Sequence, residues 1–140
     1  MLDRIDSVLY VDHIGYAVKD IESSKKIFNS LGYEFDQNRV DEERKVNVSV
    51  GKLGSYRVEL LAPLDGVNSP IDGYLSKVGS TPYHICYVVS DMNNTIEELK
   101  DIGFTQIGYP SPSIPLGGDV CFLYSNEIGM VELIKYDDAI

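Results

Sequence analysis

Alternation of apolar and polar positions marks a short strand at the start of each half of this chain. In VDHIGYAV (11–18), Ile14, Tyr16 and Val18 share one parity, while His13, Gly15 and Ala17 share the other. In YHICYVV (83–89), Ile85, Tyr87 and Val89 alternate with His84, Cys86 and Val88. A helical spacing follows each run. Ile21, Ile27, Phe28 and Leu31 form one apolar stripe, and Met92, Ile96, Leu99 and Ile102 form the other. Asp20 and Asp91 stand where a helix N-cap is expected, and Gly32 and Gly103 where a glycine closes a helix. Further strands are predicted over about 33–38, 44–50 and 55–62, and again over about 104–109, 119–125 and 130–136.

The order βαβββ therefore occurs twice, and the residues repeat with it. DHIGYAVKDIESSKKIFNSLGY (12–33) lies without a gap over YHICYVVSDMNNTIEELKDIGF (83–104), which sets His13 on His84, Asp20 on Asp91 and Gly32 on Gly103. YRVELLA (56–62) lies over GMVELIK (129–135), setting Glu59 on Glu132. The predicted class is α+β: two βαβββ modules in tandem, at about 11–62 and 83–136, making a single domain over 1–140. A module of this size buries too little to be stable alone. Two curved sheets facing each other, helices outside, would leave a cleft between them. The joining segment PLDGVNSPIDGYLSKVGSTP (63–82) carries turn signals at both ends, and a short helix is predicted in its middle, with Ser69 as N-cap and Pro70 at N1.

Strand parity then decides which side chains face the cleft. Ile14, Tyr16, Val18, Val58 and Leu60 suit the helix-bearing face, and so do their counterparts in the second half. His13, Glu59, His84 and Glu132 take the opposite, concave face. One strand histidine is more often a packed residue than a ligand, and one strand glutamate more often faces solvent. Neither alternative accounts for all four at matched positions of a duplication. Imidazole suits zinc, nickel, iron and copper, while carboxylate hardens a site toward nickel, manganese, cobalt or iron. Four such ligands leave octahedral positions open for substrate, which is a catalytic rather than a structural arrangement.

Composition narrows the partners. A net charge of −10 and a pI near 4.5 argue against nucleic acid or an anionic membrane as the main partner, though not against an anionic small molecule held by local cations. Early charges at Asp3, Arg4 and Asp6 leave no signal-peptide core, and no run approaches a membrane span. Cys86 and Cys121 are isolated in apolar runs, as expected of buried thiols in a cytoplasmic protein. GYPSPSIPLGGDV (108–120) reads as a Pro/Gly-rich loop and DEERK (41–45) as a solvated turn.

HIGYAVKDI, RVELLAPL, PYHICYVVSDM and GMVELIK together resemble the vicinal oxygen chelate superfamily, also known as the glyoxalase/bleomycin-resistance fold, over about residues 11–136. The resemblance implies metal ligands at His13, Glu59, His84 and Glu132, with a divalent ion such as nickel, cobalt or zinc, or else manganese or iron. A His/Glu/His/Glu set is similar to that of bacterial glyoxalase I, a lyase acting on the hemithioacetal of methylglyoxal and glutathione. By that likeness Glu132, and also Glu59, would move a proton between adjacent carbons. The arginine and asparagine with which those enzymes hold glutathione correspond here to Ala17 and Pro63.

ELLAPL and NSPI resemble instead the methylmalonyl-CoA epimerases, which act on an acyl thioester. Their second ligand is usually glutamine, where this chain has Glu59. Their additional proton-transfer glutamate would fall near Val46–Val48, where this chain has Asn47, unless Glu42 or Glu43 substitutes. Ring-cleaving dioxygenases of the superfamily would not need Glu59, and its metal-free binding members would not need four matched ligands. The expectation is a metal-dependent isomerase or lyase, glyoxalase I-like first and acyl-CoA epimerase second, with a small-molecule-binding protein as the third reading. Homodimers are frequent in this superfamily, so pairing of this chain is compatible with the resemblance.

Overall fold

The computed structural model describes residues 3–65 and 68–137, and these form two βαβββ modules in tandem, as the repeat predicts. The chain gathers into two compact units: His13–Tyr83, and the segment up to Asp12 joined with the chain from His84 onward. In order, the elements are β1 (Val8–Ala17), α1 (Ile21–Ser30), β2 (Glu34–Phe35), β3 (Arg39–Asp41), β4 (Val46–Leu53), β5 (Tyr56–Pro63) and α2 (Asp72–Lys77). There follow β6 (Thr81–Val89), α3 (Met92–Asp101), β7 (Thr105–Ser113), β8 (Gly118–Ser125) and β9 (Gly129–Tyr136).

In the first module the strands run β2-β4-β5-β1, with the short β3 also paired to β4. β1 and β5 are parallel, with Gly15 opposite Glu59 and Ala17 opposite Leu61, whereas β4 and β5 are antiparallel. One face packs on α1 through Val18, Ile21, Leu60 and Ala62, with Tyr16, Phe28 and Phe35 around them. Phe28 meets Tyr16 and Tyr33 edge-on, each at 5.2 Å between ring centroids. The expected stripe is narrower than its four residues suggested, because Ile27 is 67% and Leu31 62% exposed. Ile27 sits roughly 120° around the helix from Ile21, and Leu31 is already the C-cap.

The predicted strand over 33–38 resolves into the two-residue β2, after which the chain turns into β3. Phe35 lies against Gly51 so closely that a Cβ there would come within 2.6 Å of its ring. Both helices begin as expected, Asp20 accepting from the Ser23 amide and Asp91 from the Asn94 amide. Gly32 and Gly103 follow the helices with φ near 105° and 107°. Hydrogen bonds from the Ser23 hydroxyl and amide hold the Asp20 carboxyl below its ordinary pKa.

The second module repeats this plan in the order β6-β9-β8-β7. Val89, Ile96, Leu99, Cys121, Leu123, Val131 and Leu133 form its helix-side core, and Ile5 and Val8 of the N-terminal segment pack onto it. Ser7 is held there by the buried Thr95 hydroxyl at 2.5 Å. Ile102, counted in the apolar stripe, is 42% exposed just past the end of α3.

The stretch 108–120 is not mainly a loop. β7 continues to Ser113, with a register shift between Ile107 and Ser111 and positive φ at Gly108. An edge strand tolerates Pro110 and Pro112, which cannot donate to a ladder.

The linker helix starts later than expected, at Asp72 rather than Pro70. Ser69 and Asp72 still close its entry, since the Asp72 carboxylate accepts from the Ser69 amide at 2.8 Å and the Ser69 hydroxyl from the Ile71 amide at 3.4 Å. Ile71 and Leu75 pack onto Ala17, Val46, Val48 and Leu61. Those four belong to the sheet face turned away from α1, so the linker helix covers part of the face that also carries Glu59. No helix among the described residues is long and apolar enough to cross a membrane.

Candidate metal centre

Each module places a histidine and a glutamate side by side. In the first, His13 of β1 and Glu59 of β5 meet with Nε2 and Oε1 3.2 Å apart. In the second, His84 of β6 and Glu132 of β9 meet through the same atoms at 3.0 Å. The same sequence logic builds both pairs. The strand that precedes the helix runs parallel to the last strand of its module, and the period of two turns the glutamate to the non-helical face. In the first module Gly15 lies opposite Glu59; in the second, Cys86 lies opposite Glu132.

All four side chains are buried, at 1% exposure for His13, 4% for Glu59, 4% for His84 and 2% for Glu132. Burying a carboxylate is costly unless a positive or hydrogen-bonding partner meets it. In both modules the imidazole Nε2 comes within 3.0–3.2 Å of the carboxylate Oε1. The spacing also suits an ion. Two donors each about 2.1 Å from one metal, at right angles to one another, lie about 3.0 Å apart. Each of the four residues offers one buried nitrogen or oxygen donor of the type that divalent transition metals take. The donor set therefore fits a divalent ion.

The surroundings add features without a signal in the sequence. The Phe122 ring stands edge-on to His84 at 5.1 Å and fixes the imidazole plane from β8, where its register partner is Glu132. Asp12, next to His13 in the chain, is buried, and its carboxylate accepts a hydrogen bond from the Tyr136 hydroxyl at 2.5 Å. Cys86 and Cys121 are both buried thiols, as expected, Cys121 within the helix-side core.

Two candidate positions change meaning. Asn47 does not occupy the non-helical face. It pairs with Ala62, which packs on α1, while Val46 and Val48 face the other way with Ala17 and Leu61. Asn47 therefore does not stand in for an epimerase glutamate, and the non-helical face of β4 up to Val50 carries only valines. Glu42 and Glu43 lie exposed in the turn just before β4. Ala17, where a glutathione-binding arginine would stand, is 0% exposed beneath Ile71 and Leu75 of the linker.

Residues 12–136 match the family model of the Glyoxalase/Bleomycin resistance protein/Dioxygenase superfamily. The chain is 34% identical over 128 residues to an ethylmalonyl-CoA/methylmalonyl-CoA epimerase of Cereibacter sphaeroides, an alignment covering 88% of this chain and 95% of the relative. It is 35% identical over 92 residues to the uncharacterized protein YqjC of Bacillus subtilis, covering 65% of this chain and 65% of that one. The crystal structure of methylmalonyl-CoA epimerase from Mycobacterium tuberculosis has the same fold, with a TM-score of 0.84 at 20% identity over 99% of this chain and 94% of that one. The repeat, the paired strands and the family match agree: this chain belongs to the glyoxalase/bleomycin resistance/dioxygenase superfamily.

Proposed function

We propose that the protein is a divalent-metal-dependent epimerase of an acyl-CoA carrying a carboxylate beside the reacting carbon, of the methylmalonyl-CoA type. In this reading the two modules work as one domain, and His13, Glu59, His84 and Glu132 hold the ion together. The order of the two leading expectations is thereby reversed, with the glyoxalase I reading second. The observation that carries the reversal is the burial of Ala17 under the linker helix. A residue meant to hold glutathione has to reach substrate, and this position is sealed by apolar packing. The 34% identity to an epimerase across 95% of its length points the same way.

When bound, a divalent ion supplies positive charge beside the thioester carbonyl, where negative charge develops as the neighbouring proton leaves. The chain's own residues do the rest. Glu132 takes the proton from the carbon between thioester and carboxylate. Epimerisation also needs a proton delivered to the opposite face, and Glu42 or Glu43, in the turn before β4, would supply it. Buried imidazoles orient the glutamates, and the apolar side chains around them keep bulk water from the reacting carbon.

A parallel assay of metal-reconstituted protein separates the two readings. Interconversion of the two epimers of methylmalonyl-CoA, without conversion of the methylglyoxal–glutathione adduct to lactoylglutathione, is the expected result. The opposite preference would restore the glyoxalase I reading, and inertness toward both would favour a binding protein.

A further inference from the structure

Asp12, the residue just before His13, is buried and tied to a strand 124 residues further along the chain. The Tyr136 hydroxyl donates to its carboxylate at 2.5 Å. Tyr136 ends β9, four residues after Glu132, so the period of two sets both on the same face of that strand. The Asp12 carboxylate also comes within 4.8 Å of the Cys86 thiol, and Cys86 is the register partner of Glu132. The anchor is itself held tightly. Tyr136 pairs with Gly118 of β8, where an added Cβ would come within 2.8 Å of the Lys135 carbonyl oxygen and 3.1 Å of the Tyr136 Cα. So close a backbone approach leaves the end of β9 little room to shift. Stability alone does not call for a buried carboxylate here, since an apolar pair of the same shape serves a core as well or better.

We propose that Asp12 and Tyr136 are positioning residues for the metal centre: by fixing Asp12 to β9, the strand of Glu132, their hydrogen bond sets where His13 begins. This rests on the reading in which His13, Glu59, His84 and Glu132 hold one ion, and it names the pair that places the first of them. The chain leaves one compact unit for the other between Asp12 and His13, so the imidazole inherits its starting point from Asp12. Ligands have to be held within about 0.5 Å of their productive place by the contacts behind them. Loss of such a supporting contact weakens a metal about ten- to a hundredfold.

The test titrates cobalt(II) into the metal-free protein against a chromophoric chelator, beside a urea melt of each metal-free variant. Tyr136→Phe removes only the hydroxyl and should weaken cobalt about ten- to a hundredfold. Asp12→Asn keeps an oxygen that accepts from the phenol and should lose less. Thr95→Val is the control, because it deletes another buried hydroxyl contact of the N-terminal segment, the one to Ser7. It should lower the urea midpoint and leave cobalt affinity unchanged. Unchanged affinity in Tyr136→Phe would overturn the proposal. Equal weakening by Thr95→Val would do the same, since the loss would then follow general destabilisation. A larger loss in Asp12→Asn than in Tyr136→Phe would make Asp12 a ligand itself and overturn the positioning role. Should the wild type bind no cobalt, the metal reading falls and the proposal with it.

Discussion

Glu132→Gln is expected to yield a folded protein that still takes up its metal but turns over methylmalonyl-CoA about a hundred- to ten-thousandfold more slowly. The amide keeps the shape of the side chain and one oxygen able to act as a donor, but it cannot accept a proton. Glu132 is 2% exposed with its Oε1 3.0 Å from His84 Nε2, so an isosteric replacement disturbs packing little. Steady-state rates, read beside metal content, separate the roles. A slow variant with full metal identifies the base. A slow variant without metal shows only a lost ligand, and a variant of normal rate removes Glu132 from proton transfer.

His84→Ala carries the second large effect, and His13→Ala should reproduce it because the two pairs are copies. Each removes the imidazole that meets a buried carboxylate, Glu132 in one case and Glu59 in the other. Truncating a fully buried side chain to alanine costs about 2–5 kcal/mol, so the metal-free variants should unfold at clearly lower urea concentration than metal-free wild type. Added metal should then separate the proteins further. It stabilises the wild type by mass action, whereas a variant short of one donor gains little at the same concentration. Urea melts with and without nickel, cobalt or zinc check both parts. Equal stabilisation of wild type and both variants by metal would show that the histidines are not ligands.

Much of the arrangement was legible because it follows from short-range periodicity. The duplication set His13 over His84 and Glu59 over Glu132, and a period of two sufficed to turn all four away from the helices. The caps at Asp20 and Asp91 were equally local, each being a short carboxylate three residues before the amide it accepts from. What escaped the sequence depends on register or on distant packing. Counting apolar residues without their angles made Ile27 and Leu31 part of a stripe that they leave. The sequence puts Asn47 near the position of an epimerase glutamate, but only its pairing with Ala62 shows that it faces α1. Nothing local revealed that Ile71 and Leu75, in a linker rich in turn residues, would fold back over Ala17. That contact matters most for function, since it turns a missing arginine into a sealed position. The tie from Asp12 to Tyr136, 124 residues apart in the chain, is likewise visible only in the fold.

The proposed activity requires proton transfer at one carbon of an acyl-CoA, and solvent exchange reads this directly. Methylmalonyl-CoA incubated in deuterated water with metal-loaded protein should take up one deuterium at the carbon between thioester and carboxylate, followed by mass spectrometry. Stripping the metal with a chelator should stop the uptake, and restoring the metal should return it. Uptake at the same rate with and without metal, or none above the uncatalysed background under any condition, would contradict the proposed function.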